Sequence, residues 1–205
     1  MKDNIETLIE TAINLLRKRL INHEGDWKIQ EEAAKILVEI GKPSVETLIV
    51  ALRDDDGGVC YKSARALGDI GDKRSVESLI NTLSDKKSYV REEGAKALGK
   101  LKDPRGVEFL VAALKDIDAG VRIEAARALG HLKNSSGIEV IIAMLKDECF
   151  IVRRRAAEAL GELKNTRAVE PLMDVLKDKK PDVRQKAAEA LGNITGRNFS
   201  QDVTK

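Results

Sequence analysis

The stretch Val121-Arg-Ile-Glu-Ala-Ala-Arg-Ala-Leu-Gly130 returns near the end of the chain as Val183-Arg-Gln-Lys-Ala-Ala-Glu-Ala-Leu-Gly192. The same frame opens at Val59, Val90 and Val152, so five copies stand 31 residues apart. A sixth copy, anchored on Ile29, lies 30 residues before Val59, with one residue lost in the turn Gly41-Lys42-Pro43-Ser44. Six registers at a near-constant period define a repeat array.

Each period carries two helical patterns. Val121, Ala125, Ala128, Leu129 and Leu132 fall within one arc of a helical wheel and form a core-facing stripe. Upstream, Val107, Leu110, Val111 and Leu114 follow the i, i+3, i+4, i+7 pattern of a second helix. Short polar turns such as Lys102-Asp103-Pro104-Arg105 and Lys115-Asp116-Ile117-Asp118 separate the two. Before Ile29, residues Ile5, Leu8, Ile9, Ala12, Leu15, Leu16 and Leu20 predict a longer amphipathic helix that replaces the first helix of repeat one and caps the array. One helix pair cannot bury its stripe alone, whereas stacked pairs share a continuous core. The expected fold is all-α, an α-solenoid (alpha-alpha superhelix) of about six two-helix repeats and twelve helices. It spans 1–194 as a single domain, with 1–28 the capping helix and loop and 195–205 a frayed or truncated tail.

Composition agrees and excludes several classes. Apolar residues make up 42% of the 205, enough for a sizeable core, and 36 basic against 34 acidic side chains leave a net charge of +2. No apolar run approaches the ~20 residues that span a bilayer, and Met1-Lys2-Asp3-Asn4 opens no apolar leader, so no membrane association is expected. Cys60 and Cys149 lie three layers apart, too far to pair, and read as free thiols of a reducing, cytoplasmic protein.

The pattern Val-Arg-x-x-Ala-Ala-x-Ala-Leu-Gly-x-Leu, followed by Ala-Val-Glu-Pro-Leu and Leu-Lys-Asp, resembles the HEAT-like repeats named after phycobilisome lyases. The resemblance covers roughly residues 29–194 and recurs in phase. It implies that the face of each second helix turned away from the core lines a concave groove.

Residues repeated in every copy answer a packing problem that every layer poses. Ala34, Ala64, Ala95, Ala126, Ala157 and Ala188 share one slot; Gly68, Gly99, Gly130, Gly161 and Gly192 lie one turn further along the same side. Such a stripe lets neighbouring helices approach closely. Asp85, Asp116, Asp147 and Asp178 stand five residues before each Val, where a carboxylate can accept backbone N–H groups at a helix start. Arg91, Arg122, Arg153 and Arg184 directly follow the Val. In the family these residues form an inter-repeat ladder, and the resemblance carries that role onto them. Gln30 and Cys60 replace the Arg in the first two second helices, so the ladder is expected to break there.

Function should sit where the copies differ. The variable positions lie two and one residues before each Val, and two, three, six and ten after it. They place Trp27 in the first layer, Tyr61, Lys62 and Arg65 in the second, and Tyr89 and Lys96 in the third. Ile123, Arg127 and His131 follow, then Phe150, Ile151, Arg154 and Arg155, then Lys186. Four of the chain's six aromatics fall on this face, where apolar groups flanked by cations are the anchors of protein-binding surfaces. Ten basic and eleven acidic side chains balance along it, which argues against nucleic acid, whose phosphates require a net basic stripe.

Catalytic signals are sparse. His23 and His131 are the two histidines, and no C-x-x-C or H-E-x-x-H spacing occurs. Some HEAT-like proteins are di-iron hydroxylases with repeated His-Glu pairs, and this chain has one such pair, His23-Glu24. No catalytic residue, metal ligand or cofactor is therefore expected. The sequence reads as a non-catalytic scaffold or adaptor, monomeric or weakly self-associating, that binds a protein or peptide along the concave face. The alternative is an enzyme or enzyme accessory of the phycobilin-lyase or di-iron hydroxylase type.

Overall fold

The helical periodicities fold as read. The structure, a computed structural model, describes residues 2–17, 23–133 and 137–199, and the side chains within these except those of 2, 3 and 23–27. Twelve α-helices and no strand occur among the described residues. They group into two compact units, Met1–Leu101 and Lys102–Lys205. The uninterrupted period gave no sign of this division, which falls at the end of a repeat.

The first unit contains α1 (Lys2–Arg17), α2 (His23–Ile40), α3 (Val45–Ala51), α4 (Gly57–Ile70), α5 (Val76–Thr82) and α6 (Ser88–Leu101). Here α1 packs on α2 and α3, while α2, α4 and α6 stack in succession and α3 and α5 flank them. The second unit contains α7 (Val107–Ala113), α8 (Ala119–Leu132), α9 (Ile138–Met144), α10 (Phe150–Leu163), α11 (Val169–Val175) and α12 (Pro181–Thr195). There α8, α10 and α12 stack, with α7, α9 and α11 against them. The core of each unit is built from large aliphatics of both helix sets. Leu67, Leu98, Leu129, Leu160 and Leu191 come from second helices, and Leu48, Leu79, Leu110, Ile141 and Leu172 from first helices, all essentially inaccessible.

Turn chemistry sets the period. The second helices end in a residue of positive φ, in chain order Gly41, Gly71, Lys102, Lys133, Lys164 and Gly196. A 3-10 turn follows; in three of them Asp72, Asp103 or Asn165 accepts the N–H two residues on, at 3.0–3.1 Å. The small-residue stripe holds the second helices together. A Cβ added at Gly68 would lie 3.0 Å from the Ala97 Cα, and one at Gly161 2.8 Å from that of Ala190. No side chain fits there.

The capping helix departs from expectation. Ile9, Ala12, Ile13 and Leu16 of α1 are buried, but Ile5 and Leu8 are exposed. The apolar stripe of α1 is wider than the surface α2 and α3 offer to cover it. Leu20 lies outside the described residues. Leu132, Val107 and Val111 are half-buried rather than core.

Candidate protein-binding face

The edge of each unit where second helices begin is built by the repeated Asp and Arg. Arg91, Arg122, Arg153 and Arg184 each donate through Nη1 to the carbonyl oxygen of the Asp six residues earlier, at 2.8–2.9 Å. In the second unit Arg122 also reaches Asp147 of the next layer (Nη2–Oδ2 2.9 Å), and Arg153 grips Asp178 with two bonds of 2.7 and 3.0 Å. The Arg153 guanidinium holds the Asp178 carboxyl below the usual carboxylate range. The carboxylates differ from the sequence reading in one respect. Asp85, Asp116, Asp147 and Asp178 accept the N–H two residues on, that of the residue preceding the helix, at 2.8–2.9 Å. They brace the turn; the side-chain caps proper are Asp56 on α4 and Asp118 on α8. Cys60 stands in for the Arg in α4, and its thiol donates to the Asp54 carbonyl (2.9 Å) that an Arg would otherwise take. Burial pushes the Cys60 thiol up. Arg17 of α1 takes the Asp54 carboxylate instead (2.9 Å).

A second set of inter-repeat pairs escaped the sequence reading. Arg74, in the turn before α5, donates to Glu46 at the start of α3 (3.0 Å), and Arg167 pairs with Glu139 in the same relation. Each Arg lies 28 residues after its Glu. Arg74 is also clamped by Asp72, whose carboxyl it lowers to about 2. The signal was present as Asp-Lys-Arg74-Ser-Val76-Glu77, Asp-Pro-Arg105-Gly-Val107-Glu108 and Asn-Thr-Arg167-Ala-Val169-Glu170.

The variable positions lie on the second helices, as helical geometry requires. Tyr89 and Ile151 are exposed, at 45% and 38%, whereas Tyr61, Ile123 and Phe150 are half-buried. Tyr61 and Tyr89 meet edge to face with ring centroids 6.3 Å apart. The Tyr89 hydroxyl lies over Gly57, where a Cβ would strike it. Lys180 Nζ covers the Phe150 ring at 5.4 Å, so that ring is a partial anchor. The Trp27 side chain lies outside the described residues, as do those of His23 and Glu24.

Most of the expected cations are tied to carboxylates of the same face. Arg65 pairs with Glu31 (3.2 Å), Lys96 with Glu93 (3.4 Å) and Arg127 with Glu124 (3.6 Å). Arg155 pairs with Glu158 and Lys186 with Glu189, both at 2.6 Å. His131 and Arg154 are half-buried. Lys62 departs from the open position expected of it. It is 4% exposed and donates to Glu31 of α2 at 3.2 Å. Glu93, on α6, is also buried and leaves Oε1 without a partner. Burial raises the Tyr61 phenol, and the neighbouring Glu93 carboxylate adds to the effect.

Among the described residues, no group of three or more His, Cys, Asp or Glu could hold a metal ion. No described helix is long and apolar enough to cross a membrane.

Comparison with known proteins gives a consistent picture. A family profile described as HEAT repeats matches residues 45–130, 76–149 and 138–203. No curated protein matches the sequence. Among solved structures, an engineered protein is 27% identical, with a TM-score of 0.68 over 92% of this chain and 96% of its own. The complex of CpcE and CpcF of phycocyanin lyase from Nostoc sp. is similar at 27% identity and a TM-score of 0.65, over 91% of this chain and 76% of that one. A designed armadillo repeat protein in complex with the peptide (KR)4 shares the fold at 17% identity and a TM-score of 0.62, over 90% of this chain and 98% of its own.

Proposed function

The chain belongs to the HEAT-repeat family, and on that premise we propose that it is a non-catalytic scaffold or adaptor binding a protein or extended peptide along its second helices. One observation carries this reading. The positions that vary between copies hold Tyr61, Tyr89, Ile123, Phe150 and Ile151, and these keep solvent access while the repeated leucines beside them are buried. Aromatic and aliphatic groups held on a rigid helical surface are efficient anchors, since little side-chain freedom is left to lose on binding. The paired charges around them suit a polar rim that excludes water rather than a phosphate-tracking stripe.

Affinity capture from native lysate with the wild-type chain as bait, followed by a binding titration with the purified partner, tests the proposal. Saturable binding that competes with a peptide from the partner supports it. A wild-type chain that binds no protein or peptide is a spacer, and the proposal fails.

The likeness to the CpcE–CpcF complex favours a second reading, in which the chain is an accessory subunit of a lyase-type assembly. An absorption spectrum of the purified protein after incubation with a bilin separates the two. A stable shifted band supports the accessory role, and an unchanged spectrum supports the scaffold.

A further inference from the structure

The Ala–Gly stripe that draws second helices together is broken once. Val38 of α2 stands where the later copies carry Gly68, Gly99, Gly130, Gly161 and Gly192. At Gly68 and Gly161 the neighbouring helix comes so near that an added Cβ would lie 2.8–3.0 Å from its Cα. Valine cannot be accommodated at that distance, so α2 stands off α4. A cleft of about 180 Å³ opens between them on the second-helix face. Ala34, Val38 and Ala66 give it an apolar floor, and charged side chains ring its mouth.

Those charges are unequally committed. Lys62 and Arg65 are both held by Glu31 at 3.2 Å, and Lys35 is drawn off to Glu32 at 2.8 Å. On the acidic side, Lys100 takes Asp69 at 2.6 Å through one oxygen, while Glu39 is exposed and makes no ion pair among the described residues. The cleft thus offers an apolar trough that ends in available carboxylate oxygen. We infer that it receives the side chain of a lysine or arginine presented by the bound partner, the aliphatic stem lying on Val38 and the cationic head reaching Glu39 and Asp69. A stem on apolar carbon with its head in a polar rim is how long cations bury most favourably. The volume suits one side chain and is well below the ~300 Å³ at which small-molecule pockets begin. This inference rests on the reading that the second-helix face binds a protein or peptide.

The test uses methyl-resolved NMR on the intact chain, titrated with Nα-acetyl-lysine amide, Nα-acetyl-norleucine amide and Nα-acetyl-glutamate amide. The lysine probe is expected to shift the Ala34 and Ala66 methyl signals saturably, the norleucine probe to bind more weakly, and the glutamate probe to leave them unchanged. Glu39→Gln should weaken the lysine probe about two- to five-fold, the scale of one exposed ion pair. Val38→Gly, which restores the small residue of the other layers, should close the cleft and abolish the shifts while the fold is retained and melting falls only by the cost of a helical Gly. Norleucine or glutamate binding as tightly as lysine, or no shift with any probe, overturns the assignment. Capture of a partner by wild-type chain is measured separately, so the cleft can fail while the binding face stands.

Discussion

Arg153 and Asp178, 25 residues apart in sequence, meet through two parallel bonds of 2.7 and 3.0 Å that tie one layer of the second unit to the next. Both groups are largely shielded from water, so the pair is stronger than an ordinary surface bridge. Asp178 titrates below its ordinary range because Arg153 hydrogen-bonds its charged form. A depressed carboxylate contributes stability that is full above the unfolded pKa and is lost as pH falls through the folded one. Wild type should therefore melt higher than Asp178→Asn at pH 7, by a margin of about 1–3 kcal/mol. The margin should shrink steadily below about pH 4 and vanish in stronger acid. Paired melts across pH check this, and a margin that persists in acid would show that the charge plays no part.

Cys60 marks a gap in this ladder within the first unit, one layer after Gln30, which also replaces the Arg. Its thiol satisfies the Asp54 carbonyl, but nothing from that position crosses to Asp85, also 25 residues on, which makes no ion pair among the described residues. Cys60→Arg should supply both bonds, as Arg122 does to Asp116 and Asp147. The expected gain is about 1 kcal/mol, seen as a raised midpoint in urea. A lowered midpoint would mean that the pocket around Cys60 has closed beyond what an Arg can reopen.

Ser63, Gly94, Ala125, Ala156 and Ala187 occupy one slot of successive layers. Ser63 Oγ is buried without a partner, so Ser63→Ala should stabilise by about 1 kcal/mol. Gly94→Ala should do the reverse, by about 1–3 kcal/mol, because its new Cβ would strike the Thr82 hydroxyl. Adding Thr82→Ala, which copies the small pairing of Ala113 with Ala125, should recover most of the loss. Calorimetric melts of the single and double variants decide the matter.

The architecture was legible because a solenoid writes each packing requirement once per repeat. Leu129 and Gly130 could be read from spacing alone, and the Arg122–Asp147 relation from the family resemblance laid over that spacing. What could not be read depends on single departures from the repeat. Val38 is an ordinary apolar residue until the closeness of Gly161 to Ala190 shows what its slot demands. Lys62 looks like any groove cation until its burial against Glu31 is seen. The Glu46–Arg74 pair was overlooked because its interval of 28 residues crosses the period rather than matching it. Ile5 and Leu8 are exposed because the stripe of α1 is wider than the surface that α2 and α3 offer to it.

Binding is expected on the variable face of the second helices and not on the exposed face of the first helices. Two triple variants separate these. Tyr89→Ser, Ile123→Ser and Ile151→Ser remove anchors from the second helices. Val50→Ser, Phe109→Ser and Met173→Ser remove exposed apolar side chains from α3, α7 and α11. Both triples should keep their helicity and melt close to wild type, unlike Leu129→Ala, which should cost about 2–5 kcal/mol. The deciding measurement is a binding titration of the captured partner against wild type and both triples. The account predicts at least about a hundred-fold loss of affinity for the second-helix triple, as expected when several anchors are removed together, and wild-type affinity for the first-helix triple. Wild-type affinity in the folded second-helix triple, with loss in the other, would contradict it.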